Sequence, residues 1–319
     1  MTEIYRGLNQ NFIVKIKNSN IFTLYLNNKD ELFLGIRNNY VNLYYNGASI
    51  CKIAPSRNGI SLTIAKKYLN GITLSQASNG LNDNSESGYM KITEADLINN
   101  YDDICKNAAT LSSKEKTAQH KLCMNNNSNA KAKYYCIDLE YIRQRYSSNQ
   151  KNSGRFDIIA ISKDAPHKVA LIELKFGAGA IGGSSGVLKH ARDFIAFTSP
   201  NPNSSLFSNH LMPEIVEIIS SYEALGINLP FHNLSINSLN KEPTFYFITL
   251  GNGGGIARNQ MRKYVLKGKG HSTINCETKI GYDISKPNSQ FHAEFLFSDD
   301  DGTEIKDILF DNNYSMKGL

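Results

Sequence analysis

Three residues in the middle of the chain have the types and spacing for chemistry on a phosphate: Asp157, Glu173 and Lys175. Glu173 and Lys175 stand two apart in Val169 to Phe176 (VALIELKF), an apolar run of strand length. Residues two apart on a strand project from one face, so the acid and the lysine point together while Ile172 and Leu174 point the other way. Charges inside an otherwise apolar strand cost desolvation energy unless they have partners. Asp157, in the preceding apolar run RFDIIAIS, brings a second carboxylate to the same place. Two carboxylates and a lysine at a sheet edge make a hard-cation site. Mg²⁺, with Mn²⁺ as a substitute, is held by one or two carboxylates together with water and substrate phosphate. Such a metal polarises a phosphoryl oxygen and generates hydroxide. Lys175 then orients the attacking water or neutralises charge in the transition state.

The elements that must position these groups follow from the flanking residues. Asp164-Ala165-Pro166 is turn chemistry between two strands. Gly177 to Gly186 holds five glycines and two serines; glycine lets backbone amides approach a phosphate closely. The helix expected from about Ser185 points its N-terminus toward the site, which favours an anion. The GK[ST] ending of a P-loop is absent, and a flexible strand-to-helix connection accounts for the glycines equally well. Before the two strands, Tyr134 to Arg143 (YYCIDLEYIR) reads as a further strand, pairing antiparallel with the Asp157 strand. Strict alternation puts Cys136, Asp138 and Glu140 on one face and Ile137, Leu139 and Tyr141 on the other.

The motif Phe156-Asp157 followed by Glu173-Leu174-Lys175 resembles that of the PD-(D/E)XK nuclease superfamily, over roughly Ser112 to Leu250. Phe156 stands where the motif has proline, a position that contributes backbone rather than chemistry. The resemblance implies an α/β fold with a restriction-endonuclease-like core, a mixed sheet flanked by helices. In it Asp157 and Glu173 bind the metal and Lys175 assists the nucleophile. It also implies an acidic residue from a helix before the core strands. Glu115 on SSKEKTAQHKLC is the candidate, with Gln119 on the same face. Glu140 is the alternative, and the sequence does not choose between them. His190, on the helix after the glycine loop, is the candidate for a polar residue that reaches the site. The implied activity is metal-dependent hydrolysis of phosphodiester bonds, with DNA placed ahead of RNA as the partner. An RNase, or a non-catalytic nucleic-acid-binding or interaction module on the same fold, stays open.

The 319 residues suggest two domains, divided here as a β-rich domain over 1–90 and a nuclease-like domain over 91–319. No apolar run approaches the length of a membrane helix, and MTEIYRGLNQ lacks the layout of a signal peptide, so a cytoplasmic protein with no membrane partner is expected. Five scattered cysteines (Cys51, Cys105, Cys123, Cys136, Cys276) read as reduced, buried thiols rather than a disulfide framework or zinc site. A net charge of +6 permits a polyanionic partner without demanding one. Protein partners are not legible, and a homodimer is left open.

Residues 11 to 53 read as an antiparallel meander of five short strands split by Asn, Asp and Gly turns. Arg37, Tyr44 and Tyr45 either form a nucleic-acid-contacting face, since sheet aromatics can stack bases, or are ordinary half-buried sheet residues. Residues 75 to 89 read as a polar loop. Helices are expected from Thr93 to about Ala109, from Ser112 to about Cys123, and from Pro213 to a stop at Gly226. Phe245 to Leu250 should complete the core sheet. Ile256 to His271 carries Arg258, Arg262, Lys263, Lys267 and Lys269 with no acid, and is the expected phosphate-contacting surface. FHAEFLF reads as a strand and Ser298 to Asp301 as an acidic, solvated turn.

Overall fold

Residues expected as the first two strands are helical. Asn9 accepts a hydrogen bond from the Phe12 amide at 2.8 Å and opens helix α1 (Gln10–Lys17); Ser19 accepts from Phe22 at 3.2 Å and opens α2 (Asn20–Asn27). Each buries a triplet at helical spacing, Phe12/Ile13/Ile16 and Ile21/Phe22/Tyr25. Apolar runs this short fit either period, and the side-chain caps decide for the helix.

The computed structural model describes residues 6–80, 88–143, 154–177, 186–198, 205–250 and 292–297. Most of the glycine loop, the basic segment 256–271 and the acidic turn at 298–301 lie outside them. The described chain is mixed α/β with two five-stranded sheets. It folds as two compact units, one from Glu3–Met124 with Glu214–Asn233, the other from Asn125–Pro213 with the chain from Leu234 onward. The division expected at residue 90 thus falls inside the first unit. No helix among the described residues is long and apolar enough to cross a membrane.

The first unit carries an antiparallel sheet in the order β1 (Leu32–Ile36), β2 (Val41–Tyr45), β3 (Ala48–Ser56), β4 (Gly59–Ala65), β5 (Tyr89–Ile92). β4 lies past the expected meander, and β5 begins on Tyr89, the last residue of what reads as a polar loop. One face of the sheet is apolar, with Leu34, Ile36, Val41, Leu43, Cys51, Ile53, Leu62, Ile64 and Ile92 all buried. Around it stand α3 (Gln76–Gly80), α4 (Glu94–Asn99), α5 (Tyr101–Leu111) and the start of α6 (Lys114–Ser128). Asp96 ties this region together: Ser75, Ser78 and Thr93 donate their hydroxyls to its carboxylate. Burial alone would raise its pKa, but these bonds outweigh that and bring it down to about 2.

The second unit is built on a mixed sheet in the order β10-β9-β8-β7-β6. β6 (Tyr134–Ile142), β7 (Arg155–Ser162) and β8 (Val169–Phe176) form an antiparallel meander. β9 (Thr244–Leu250) lies parallel to β8, and β10 (His292–Phe297) parallel to β9. Between β8 and β9 the chain runs through α7 (Val187–Phe197), a π-helical turn (Phe207–Leu211) and α8 (Met212–Leu225), which from Glu214 onward belongs to the first unit and which Gly226 stops at φ +80°. From α7, Phe194 packs on Phe245 at 5.1 Å between ring centroids, and Phe197 on Phe156 at 5.2 Å. Phe197 fits because residue 154 is glycine, at φ +105°: a Cβ there would meet its ring at 2.6 Å.

Two local features depart from the pattern of the sequence. The helix expected to end at about Cys123 continues to Ser128, and Asn127 finds backbone partners: it accepts from the Cys136 amide at 2.7 Å and donates to the Cys136 carbonyl at 3.0 Å. The alternation assumed for β6 is broken by a bulge between Cys136 and Asp138, whose partners on β7 are Ala160 and Ile159. One residue of slip reverses the face, so Cys136 no longer shares a side with Asp138. The four described cysteines, Cys51, Cys105, Cys123 and Cys136, are free and buried, as small apolar residues would be.

Candidate active site

β7 and β8 pair from Ile161↔Val169 to Ile158↔Ile172, and the ladder then ends. One further step in that register sets Asp157 opposite Glu173. The next amide, Leu174 N–H, donates to Asp157 Oδ2 at 2.8 Å instead of to a backbone carbonyl. On the other side, Glu140 falls opposite Asp157, between the pairs Leu139↔Ile158 and Tyr141↔Phe156. Glu140, Asp157 and Glu173 therefore form one row across three strands, at the start of β7 and near the C-terminal end of β8. Glu140 holds a left-handed backbone, φ +56°. A non-glycine residue in that region costs of order 1–3 kcal/mol, and such strain gathers at functional sites.

Glu173 is only 3% exposed. A buried carboxylate needs partners. Lys175 Nζ lies 2.5 Å from Glu173 Oε1 and His190 Nε2 lies 3.0 Å from the same oxygen. The lysine arrives by strand periodicity, the histidine from the first turn of α7, where Gly186 is the N-cap. Both are themselves mostly buried, at 12% and 13% side-chain exposure. Asp138 is fully buried on the same strand as Glu140, and its carboxylate turns to the adjacent Leu139 amide at 2.8 Å.

Asp157, Glu173, Lys175 and His190 are thus gathered, with Glu140 beside them in the row. Glu115 sits on the first turn of α6, in the other unit. Arg258, Arg262, Lys263, Lys267 and Lys269 lie outside the described residues. Among the described residues no three His, Cys, Asp or Glu side chains converge so as to hold a metal ion. The sequence reading passes over Thr249, which pairs with Lys175 across β8 and β9. It is fully buried, and its Oγ1 has no hydrogen-bond partner. A threonine among the apolar and aromatic residues of FYFITL is the signal that could have marked it.

Arg37 and Tyr44 are not a nucleic-acid face. They are buried, with Arg37 Nη2 donating to Tyr44 Oη at 2.9 Å. Tyr45 is half-buried, and burial raises its pKa.

Compared with protein-family models, with curated proteins and with solved structures, the chain matches none.

Proposed function

We propose that this chain is a metal-dependent nuclease of restriction-endonuclease-like fold that hydrolyses phosphodiester bonds, in DNA before RNA. The observation that carries the reading is the pairing of buried Glu173 with Lys175 and His190 directly beside Asp157. The order of elements supports it: an antiparallel meander β6–β7–β8, helix α7, then β9 parallel to β8. So does the location, at the C-terminal ends of the parallel strands, where open α/β sheets bind ligands.

The residues fit a hard divalent cation, since two carboxylate oxygens on neighbouring strands are what Mg²⁺ or Mn²⁺ takes from a protein. Asp157 and Glu173 would hold it, and Glu140, which follows Asp157 in the row, is the residue from which a further oxygen would have to be drawn in; bound there, the ion would polarise the phosphoryl oxygen and acidify a water. Asp157 is held in place by the Leu174 amide. His190 fixes the Glu173 carboxylate, and Lys175 places a positive charge where a phosphate would bind and orients the attacking water. Arg258, Arg262, Lys263, Lys267 and Lys269, which follow β9 in the chain, supply phosphate contacts.

The competing reading is a binding module on the same fold, in which the Lys175–Glu173–His190 contacts are a structural ion-pair cluster. One experiment separates them. Plasmid, linear duplex DNA and RNA are incubated with Mg²⁺, Mn²⁺ or EDTA. The nuclease reading expects cleavage with either metal, none in EDTA, and none by Lys175→Ala. Binding without cleavage in every arm would select the module.

A further inference from the structure

From Leu32 to Leu81 the chain contains no Asp or Glu but five basic residues, Arg37, Lys52, Arg57, Lys66 and Lys67. These residues make β1 to β4 of the first unit's sheet and the turn after them. β5 adds Lys91 and again no acid. One face of this sheet is the apolar one described above. Toward β3, β4 and β5, the opposite face is polar and open.

Register assembles that face. Asn42 pairs with Lys52, Lys52 with Thr63, and Thr63 with Lys91, so the four side chains stand in one row across four strands. Directly opposed residues share a face. In the next row Ala65 pairs with Tyr89. Along these rows runs a hollow of about 440 Å³, lined by Tyr40, Asn42, Ser49, Lys52, Thr63, Ala65 and Tyr89. Tyr89 is 57% exposed, among the most exposed large side chains described. Lys52 Nζ stands 4.1 Å from the centroid of the Tyr40 ring, which holds its charge at the rim. Lys66 joins the same end, its amide bonded to the Gly88 carbonyl beside Tyr89.

We propose that this face binds a segment of single-stranded nucleic acid. Exposed tyrosine next to lysine offers a base a stacking platform and its phosphate a counter-charge. Lys52 and Lys91 are two strands apart, about 9.6 Å at the usual strand spacing, which lets each serve a different phosphate of one strand. Asn42, Ser49 and Thr63 line the floor with donors and acceptors for base edges. A duplex buries its base faces in its own stack and has no use for Tyr89; an unpaired strand does. The absence of carboxylates across five strands favours a polyanion over a neutral sugar, which would use the same aromatic and hydroxyl groups. The inference does not rest on the nuclease reading, since it concerns a different sheet and no chemistry.

The test is fluorescence anisotropy with the full chain in EDTA. The probes are a labelled 20-nucleotide DNA strand, its RNA counterpart and the DNA duplex. Tyr89→Ala should weaken single-strand binding roughly ten-fold, while Tyr89→Phe stays near wild type. Lys52→Ala should weaken it and flatten the slope of log affinity against log salt by about 0.7. Duplex binding should change less than about two-fold in each. Ultraviolet crosslinking of the wild-type chain to the single strand should label the peptide holding Tyr89, a readout independent of how the variants fold. Unchanged single-strand binding in Tyr89→Ala and Lys52→Ala, or a crosslink confined to other peptides, overturns the proposal. Equal losses for strand and duplex would make the face a general phosphate surface and also overturn it. This binding is read in EDTA and cleavage is read with Mg²⁺, so the loss of one leaves the other standing and the two readings fail separately.

Discussion

The carboxylate of Asp157 accepts the backbone N–H of Leu174 at 2.8 Å, joining β7 to β8 where their ladder ends. The same side chain that would hold the metal also completes the sheet. Removing it therefore has two effects that one substitution cannot separate, but two can. Asp157→Asn keeps an oxygen acceptor for Leu174 and loses the charge; Asp157→Ala loses both. Asn should cost little stability, and Ala about 1–2 kcal/mol from the unpaired amide, while both should abolish cleavage and metal uptake. Urea unfolding and calorimetric Mg²⁺ titration on the two variants check this. Wild-type cleavage by Asp157→Asn would remove Asp157 from the site.

Those site residues were legible for one reason: charge inside an apolar strand is a local contradiction, and Glu173 and Lys175 carry it in plain view. His190 could be guessed from its place after the glycine loop. The rest needed information that a linear reading lacks. NFIVKI and IFTLYL fit both periods, and the outcome turned on two capping side chains, Asn9 and Ser19. The Cys136 face was lost to a single bulged residue, which no alternation pattern announces. The hollow at Lys52 and Tyr89 joins residues from β2 to β5, and only register brings them together. Arg37 and Tyr44 looked available because sequence gives residue type and not burial.

Glu140 links backbone strain to the row of acids. Its φ of +56° suits glycine. Glu140→Gly and Glu140→Ala both remove the carboxylate, but only glycine relieves the backbone. The glycine variant should be the more stable by about 1 kcal/mol, while both bind Mg²⁺ more weakly and cleave more slowly. Thermal unfolding and metal titration give the two readouts. Full activity in both variants would leave Asp157 and Glu173 as the only carboxylates at the metal.

Thr249 is the inverse case. Its buried hydroxyl has no partner and lies across from Lys175. Thr249→Val keeps the shape and discards the polar atom, so stability should rise, by about 1 kcal/mol. If the hydroxyl serves water or phosphate in the occupied site, the more stable variant should be slower, with the loss in kcat. A more stable variant of unchanged kcat would make Thr249 only a packing residue.

The first unit has its own pH response, carried by His120 on α6. Its ring is buried, Nε2–H donates to the Glu31 carbonyl at 2.9 Å, and Nδ1 has no hydrogen-bond partner. Burial, partly offset by the Glu31 bond, pushes its pKa down from 6.5 to about 4. Between those values the unfolded chain binds a proton that the folded chain refuses. The stability this group contributes is therefore complete above pH 6.5 and is lost as pH falls toward 4. The full effect is about 3 kcal/mol, of which about 2 kcal/mol is gone by roughly pH 5. His120→Gln keeps a donor for Glu31 and cannot titrate. Urea unfolding at pH 7 and pH 5 should show wild type losing about 2 kcal/mol more than the variant over that range. Equal losses would mean that water or a shift of the α6 backbone reaches Nδ1 and lets the ring take its proton in the folded state.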